Sequence, residues 1–542
     1  MSDSADWWKY AVAYQIYPRS FKDSNNDGIG DIPGIISKLD YLKDLGVNLV
    51  WFCPMYSSPM DDNGYDISDY YNINPDYGTQ EDVFKLLDES KKRGIKVMFD
   101  LVLNHTSDDH PWFQAALKDV NSPYRKYYYF KEGTDHKAPT NWRSVFGGSV
   151  WQEIGDTNVF YLHSFSKRQP DLNWENEDMR KELYKMIDWW LEKGLAGFRV
   201  DAINFIKKNL DWPNGEADGA DGLCYCQKFT VDQPGIEVFY EELRKNAFTK
   251  CATVSEAVGT PYDQLDKYIG KNGCFSMIFD FNYTNLDVEN ETYCKKRNWT
   301  YQELIDGINK SQEEIQKVGW VAPFWENHDQ PRVMSKYMGG KSDEKAMLLA
   351  GVYLFLRGTP FIYEGQELGM INFVRKSIDE FNDVSAKGQY AIALGEGFSA
   401  EEALKFCNER SRDNARTPMP WTDGNNAGFS DHEPWLALTE TYKEINVEKQ
   451  LNDPKSVLNF YKKAIKIKKE HPEAFVEGKY EKIQCEKDVL GYKRVSGKET
   501  MVVFANFSGE EKKFPLQPKT VLLSNKEVKE KLLPYQFVLY KE

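Results

Sequence analysis

Gly197-Phe198-Arg199-Val200-Asp201-Ala202-Ile203 joins a glycine to a short apolar run that carries two charges spaced i, i+2. In an extended strand that spacing places Arg199 and Asp201 on the same face. Taken alone, the pair reads equally well as a structural salt bridge and as part of a reactive site. Two further segments shift the balance. Glu256 in Thr253-Val254-Ser255-Glu256 and Asp329 in Glu326-Asn327-His328-Asp329 also close short apolar runs. Three carboxylates at three strand ends are the layout of an active site on the carboxyl-terminal rim of a β/α barrel.

Outward from this strand the chain repeats one rhythm, an apolar strand followed by an amphipathic helix. Strands are predicted at 11–17, 47–52, 95–103, 196–203, 252–256, 274–281, 321–325 and 359–363. Helices are predicted between them at 35–45, 80–93 and 179–193, with a last barrel helix at 455–469. Eight strands alternating with helices predict an α/β protein built on a closed (β/α)8 TIM barrel rather than an open sheet. The catalytic barrel takes residues 1–104 and 174–471, and a loop-rich domain B of residues 105–173 is inserted after strand 3. A second interruption at about 372–410, with helical periodicity over 400–410, follows the eighth strand and should overhang the same rim. Beyond Pro472, alternating runs such as Val489-Leu490-Gly491-Tyr492 predict a C-terminal antiparallel β-sandwich domain over 472–542.

Composition narrows the function classes. The 542 residues carry a formal charge of −15, from 69 basic and 84 acidic side chains. That balance, without a basic cluster, argues against nucleic acid or an anionic membrane as partner. The start, Met1-Ser2-Asp3-Ser4-Ala5-Asp6, is acidic and lacks the basic and apolar segments of a secretory signal. The longest apolar run, 347–363, is broken by Arg357, Gly358 and Pro360 and does not read as a membrane span. Eight cysteines have no repeating spacing, and Cys224 and Cys226 have no matching pair for zinc. Free thiols in a cytoplasmic protein, acting as a monomer, are the expectation.

Asp23-Ser24-Asn25-Asn26-Asp27-Gly28-Ile29-Gly30-Asp31 sets oxygen side chains at alternate positions and supplies glycines for turning. It begins like an EF-hand loop, but position twelve is Gly34 instead of Glu. A structural Ca²⁺, with Mg²⁺ as the alternative, is expected on Asp23, Asn25, Asp27, Asp31 and the carbonyl of Ile29; a polar turn that binds nothing is the plainer reading. Tyr65 and Asp66 in Gly64-Tyr65-Asp66, and His105, follow the second and third strands. Tyr65 offers a flat face and a hydroxyl to a sugar ring, and Asp66 can accept two hydroxyls. His105 and His328, taken singly, read first as hydrogen-bonded core residues, and no Cys/His spacing for zinc accompanies them.

Gly197 to Ile203, Ser255-Glu256, Asn327-His328-Asp329 and Asp100 to His105 together resemble the four short motifs of the α-amylase superfamily. Tyr14-Gln15-Ile16-Tyr17-Pro18-Arg19-Ser20-Phe21, Gln169-Pro170-Asp171-Leu172-Asn173-Trp174 and Arg412-Asp413-Asn414-Ala415-Arg416-Thr417-Pro418-Met419 look like its oligo-1,6-glucosidase and α-glucosidase branch. By that similarity Asp201 is the nucleophile, Glu256 the general acid/base and Asp329 a carboxylate that grips sugar hydroxyls. Arg199, His105 and His328 would surround the terminal glucose, with Tyr65 under it and Phe165 against it. Asp66 and Arg412 would close the far end of the pocket, and Arg416 would form an ion pair in its wall. The loop at Asp23 to Asp31 is similar to the calcium loop of bacterial members.

Physical chemistry adds expectations to the resemblance. Arg199 should lower the pKa of Asp201, and crowding by two other acids should raise that of Glu256. In this branch alanine after the nucleophile, here Ala202, goes with α-1,4 tolerance, whereas Ile203-Asn204-Phe205 resembles the α-1,6 enzymes. The expected activity is therefore a retaining exo-acting α-glucosidase on short oligosaccharides or disaccharides, taking isomaltose-type bonds and tolerating α-1,4 or sucrose linkages. A sucrose isomerase, related and transferase-like, would carry arginines after the sixth strand, where Phe281-Asn282-Tyr283-Thr284-Asn285-Leu286-Asp287 has none. A non-catalytic barrel like the heavy chains of amino-acid transporters would have lost the carboxylates and gained an anchor.

Overall fold

The computed structural model describes residues 6–289 and 292–542. The acidic start read at positions 1–5 lies outside them.

A parallel sheet forms the centre. Its order is Met277–Phe279, Ala252–Glu256, Gly197–Asp201, Lys96–Val102, Leu49–Phe52, Ala13–Ile16 and Phe361–Tyr363. The strand expected at 321–325 is reduced to a single parallel bridge between Ile278 and Val321. Pro323 has no N–H for a ladder, so a full strand cannot form there. The barrel closes nonetheless: Ala322 N donates to Ile278 O (2.9 Å), Thr359 N to Val321 O (3.1 Å) and Phe361 N to Pro323 O (2.9 Å). The fold is a (β/α)8 barrel.

Gly197 is required at its position. A Cβ there would collide with the carbonyl of Ala252 on the neighbouring strand. Bulky side chains from alternate strand positions, among them Trp51, Met98, Val254, Phe279 and Phe361, fill the barrel interior. The outer helices pack their apolar stripes on the sheet and start where the chain supplies caps. Gln80–Lys92 and Tyr301–Val318 open on capping boxes, Thr79 with Asp82 and Thr300 with Glu303. The helix expected at 35–45 is two helices, Ile32–Ser37 and Leu39–Leu45, because Lys38 between them leaves helical geometry (φ −111°, ψ 4°).

Two excursions roof the carboxyl-terminal rim. In the first, Phe130–Glu132, Val159–Leu162 and Trp151–Glu153 form an antiparallel sheet. This region is not self-contained. Its strand Trp142–Arg143 pairs with Cys224–Tyr225, which follows the strand Gly197–Asp201, and Cys224 and Cys226 are buried among its aromatic residues. The second excursion is the helix pair Val384–Gly395 and Ala400–Arg410 after the eighth barrel position. Gly388 lets the first of these helices lie against the carbonyl of Phe146 in the first excursion, where any Cβ would clash.

The carboxyl-terminal domain is an antiparallel sheet ordered Lys479–Lys482, Val489–Val495, Thr500–Asn506, Phe537–Lys541 and Thr520–Ser524. One face packs on a small two-stranded sheet through Val502, Phe504, Phe514 and Leu532. Met501, Val503, Phe537 and Leu539 on the other face join the barrel's outer core. All eight cysteines are unpaired, and no described helix is long and apolar enough to cross a membrane.

Candidate active site

Arg199 organises the site. Parallel register sets Asp100 beside it on one neighbouring strand and Val254, two residues before Glu256, on the other. Its Nη1 donates to Asp100 Oδ1 (2.9 Å) and Asp201 Oδ1 (2.6 Å), while Nη2 lies 2.7 Å from Glu256 Oε2. The guanidinium is 1% exposed, so these charge-assisted contacts are not diluted by solvent. Ala202 adopts a left-handed conformation (φ 39°, ψ 38°) that turns its N–H onto Glu256 Oε2 at 3.1 Å. Strain of this kind in a residue with a Cβ costs on the order of 1–2 kcal/mol. Here it sets Asp201 and Glu256 side by side.

Asp329 enters from the seventh barrel position. Arg416 Nη2 donates to its Oδ1 (2.9 Å), Arg412 Nη1 approaches the same oxygen at 3.4 Å, and His328 Nε2 lies 3.1 Å from Oδ2. His328 Nδ1 faces the side-chain amide of Gln15 (2.8 Å), which puts the ring proton on Nε2. The Tyr65 ring stacks on His328 (centroids 5.1 Å, 6° between planes), and its hydroxyl donates to Asp100 Oδ2 (2.9 Å). His105 Nε2 lies 3.2 Å from the Tyr65 carbonyl. Its ring meets Phe165, whose own ring meets Phe205 (5.3 and 5.1 Å). Tyr65, His105, Phe165, Phe205, Asp201, Glu256, Asp329 and Arg412 line one cavity of about 620 Å³, the size of a small-molecule site, while Arg199, His328 and Arg416 are wholly buried behind its wall. Phe146, Gly388, Gln389 and Ile392 from the two excursions form its upper wall.

The chain that builds this aromatic-walled cavity resembles known proteins along most of its length. Residues 15–478 match the model of the alpha-amylase catalytic domain. The chain belongs to the alpha-amylase family. It is 44% identical over 539 residues to "Probable oligo-1,6-glucosidase 3" of Bacillus subtilis, covering 96% of this chain and 95% of that one. It is 39% identical to the trehalose-6-phosphate hydrolase of the same organism, covering 100% of this chain and 99% of that one. The crystal structure of isomaltulose synthase from Klebsiella sp. LX3 superposes with a TM-score of 0.93 at 39% identity, covering 99% of each chain. The protein is a glycoside hydrolase.

Electrostatics separate the three acids of this alpha-amylase family member. Burial pushes Glu256 up to about 8; Arg199 opposes the shift, while Asp201 and Asp329 add to it. The expected rise is present, but removal from water rather than crowding is its first cause. Asp201 departs from expectation. Burial lifts it to about 7 despite Arg199, because that guanidinium divides its charge among three carboxylates. Burial also works against charge on Asp329, but His328, Arg412 and Arg416 outweigh it and hold the group well below the usual carboxylate range. His105 and His328 fall to about 4 through burial and are neutral.

Asp66 is not on the pocket wall of the hydrolase. It is fully buried and accepts from Ser58 Oγ (3.0 Å), Asp61 N (2.8 Å) and Asp62 N (3.0 Å). Asp62 lines the cavity instead, 2.8 Å from Arg412 Nη2. Asp383, from the second excursion, grips the other side of Arg412 through Nε (2.9 Å). Arg416 is wholly buried and also donates to the His328 carbonyl (2.9 Å). Sequence reasoning missed Asp62, Asp383 and Asp100. The run Asp61-Asp62-Asn63 was the one signal for Asp62, and Asp383 had none.

The loop at 23–31 is curled, but its oxygens are in use. Asp23 accepts from the N–H groups of Asn25, Asn26 and Gly28 and from Ser430 Oγ. Asp31 accepts from Ser24 and caps the helix Ile32–Ser37, and Asp27 accepts from Ile29 N and Asn25 Nδ2. These carboxylates keep further lone pairs, so the bonds hold the loop curled without excluding a cation.

Proposed function

We propose that the protein is a retaining, exo-acting α-glucosidase that removes one terminal glucose from short α-gluco-oligosaccharides. Isomaltose-type α-1,6 bonds are its main substrates, with α-1,4 and sucrose linkages tolerated. The observation that carries this is the fork of Arg199, which reaches Asp201 and Glu256 at 2.6 and 2.7 Å and so keeps the two carboxyl groups adjacent. Retaining chemistry needs such a pair about 5–5.5 Å apart, whereas inversion needs room for a water between them.

In this mechanism Glu256, held protonated by its surroundings, gives its proton to the glycosidic oxygen as that bond breaks. Asp201, partly ionised at neutral pH and stabilised as an anion by Arg199, attacks the anomeric carbon. Glu256 then takes a proton from the water that releases the sugar. Asp329, ionised throughout and supported from behind by His328, binds the hydroxyls of the same glucose. Asp62, Arg412 and Asp383 shut the cavity beyond that glucose, which makes release exo-acting.

Replacement of Asp201 by Asn or Glu256 by Gln should each abolish glucose release while the circular dichroism stays native. A panel of isomaltose, maltose, sucrose, starch and dextran tests the rest. Activity on maltose alone, or rapid cleavage of polymers, contradicts the proposal. Isomaltulose synthase shares this fold, and its reaction would appear as isomerised product from concentrated sucrose. The absence of arginine from 281–287 favours hydrolysis. In the same proposal a Ca²⁺ held by Asp23, Asn25, Asp27, Asp31 and the Ile29 carbonyl has a structural role only, and the enzyme works as a cytoplasmic monomer.

A further inference from the structure

Resting on the glucosidase reading, we infer that Gln330, held in one orientation by Lys336, donates a hydrogen bond from its Nε2 to a hydroxyl of the second sugar. The contact fixes the leaving group against the acid Glu256. It is separate from the groups that bind the terminal glucose.

Gln330 follows Asp329 directly and lines the cavity, with 6% of its surface exposed. Behind the wall, Lys336 Nζ lies 3.0 Å from Gln330 Oε1 and 2.8 Å from the Thr284 carbonyl. A lysine ammonium offers donors only, so the amide must turn its oxygen toward Lys336. The amide nitrogen is thereby sent the other way. Among the described residues none accepts from Nε2, which is left as a donor on the cavity wall.

Topology shows which sugar this donor meets. The strand Ala252–Glu256 lies between Gly197–Asp201 and Met277–Phe279, and Glu256 pairs with Phe279. Asp201 is therefore on one side of the acid, and the segment that continues from Phe279 is on the other. Phe281 and Asn285 of that segment line the same cavity, and Thr284 between them shares Lys336 with Gln330. Since Asp201 and Asp329 hold the terminal glucose and the bond to be cut faces Glu256, the second sugar emerges toward Phe281 and Gln330.

This part of the wall is braced. The Tyr337 hydroxyl lies 3.0 and 2.7 Å from the Tyr283 and Thr284 carbonyls. Arg410 holds Asn285 Oδ1 (2.9 Å) and Asp287 Oδ1 (3.0 Å). A donor fixed in this way loses little freedom when the sugar arrives, and the Phe281 ring supplies an apolar face beside it.

The test compares isomaltose with α-glucosyl fluoride, which has no second sugar. Gln330→Met keeps the length of the side chain and removes the donor. Its kcat/KM should fall about tenfold on isomaltose and no more than about twofold on the fluoride. Lys336→Met, which frees the amide from behind, should give the same split at about threefold. Isomaltose analogues that each lack one hydroxyl of the reducing sugar locate the contact. One of them should cost the native enzyme about tenfold, and Gln330→Met should treat that analogue and isomaltose alike. Equal losses on isomaltose and the fluoride, no loss on isomaltose, or a penalty for every analogue that survives in Gln330→Met overturns the inference. A native enzyme that cuts neither isomaltose nor α-glucosyl fluoride would instead overturn the glucosidase reading.

Discussion

Arg412 Nη2 lies 2.8 Å from Asp62 Oδ1, a contact between residues 350 positions apart that seals the inner end of the cavity. The guanidinium is 10% exposed and Asp62 5%, so neither charge has much water to fall back on. Asp62→Asn keeps the shape and removes the charge. The expected result is a rise in KM for isomaltose and a kcat/KM loss on the order of 10²-fold, as for one half of a buried ion pair. The matching Asp66→Asn variant, whose side chain faces away from the cavity, should lose far less. Steady-state kinetics on the two variants would contradict the assignment if Asp66→Asn were the more damaged.

Activity should follow the two raised carboxyls. The proposed mechanism needs Asp201 ionised and Glu256 protonated, and burial lifts these groups to about 7 and about 8. On the acid side kcat/KM falls as Asp201 gains its proton, and on the alkaline side as Glu256 loses its own. The two limbs belong to the pair as a unit. A bell with its maximum between about pH 7 and 8 is expected, and Glu256→Gln should lack the alkaline limb in its residual activity on an activated aryl α-glucoside. A maximum below pH 5 in the native enzyme would contradict the electrostatic picture.

Gly197→Ala should be severely destabilising although it adds one methyl. The new Cβ would strike the Ala252 carbonyl in the parallel ladder, and neither strand can move without opening the barrel. A loss on the order of 3 kcal/mol is expected, seen as a lowered melting temperature and reduced soluble yield. A melting temperature unchanged from the native protein would show that the strands have slack.

Much of this was legible from the chain because its signals are local. The i, i+2 spacing of Arg199 and Asp201 needs only strand geometry, and each carboxylate at a strand end marks the same rim. The missing seventh strand was legible too, had Pro323 been weighed against its apolar neighbours. What could not be read were facts of assembly. Asp62 and Asp66 sit four apart in one turn, and only the fold shows that Asp66 is tied up by Ser58 and two backbone N–H groups. Asp383 meets Arg412 only because the second excursion folds back over the rim. The sign of the Asp201 shift depends on how many carboxylates Arg199 serves, a number no single segment contains.

The loop at 23–31 makes a separate prediction. If it binds Ca²⁺ as proposed, EGTA should lower the apparent melting temperature by a few degrees and added Ca²⁺ should restore it, since a ligand bound only to the folded state stabilises it. Asp23→Ala should abolish the response. Identical melting curves with EGTA and with Ca²⁺ would show that the hydrogen bonds already present there suffice.

The central claim is that Asp201 becomes covalently attached to the departing glucose. Mass spectrometry after incubation with 5-fluoro-α-glucosyl fluoride, a slow substrate that accumulates the intermediate, measures this most directly. The account predicts one fluoroglucosyl group on the peptide that contains Asp201, discharged on adding isomaltose. Label on the peptide that contains Glu256, or turnover that never labels the protein and releases β-configured sugar, would contradict it.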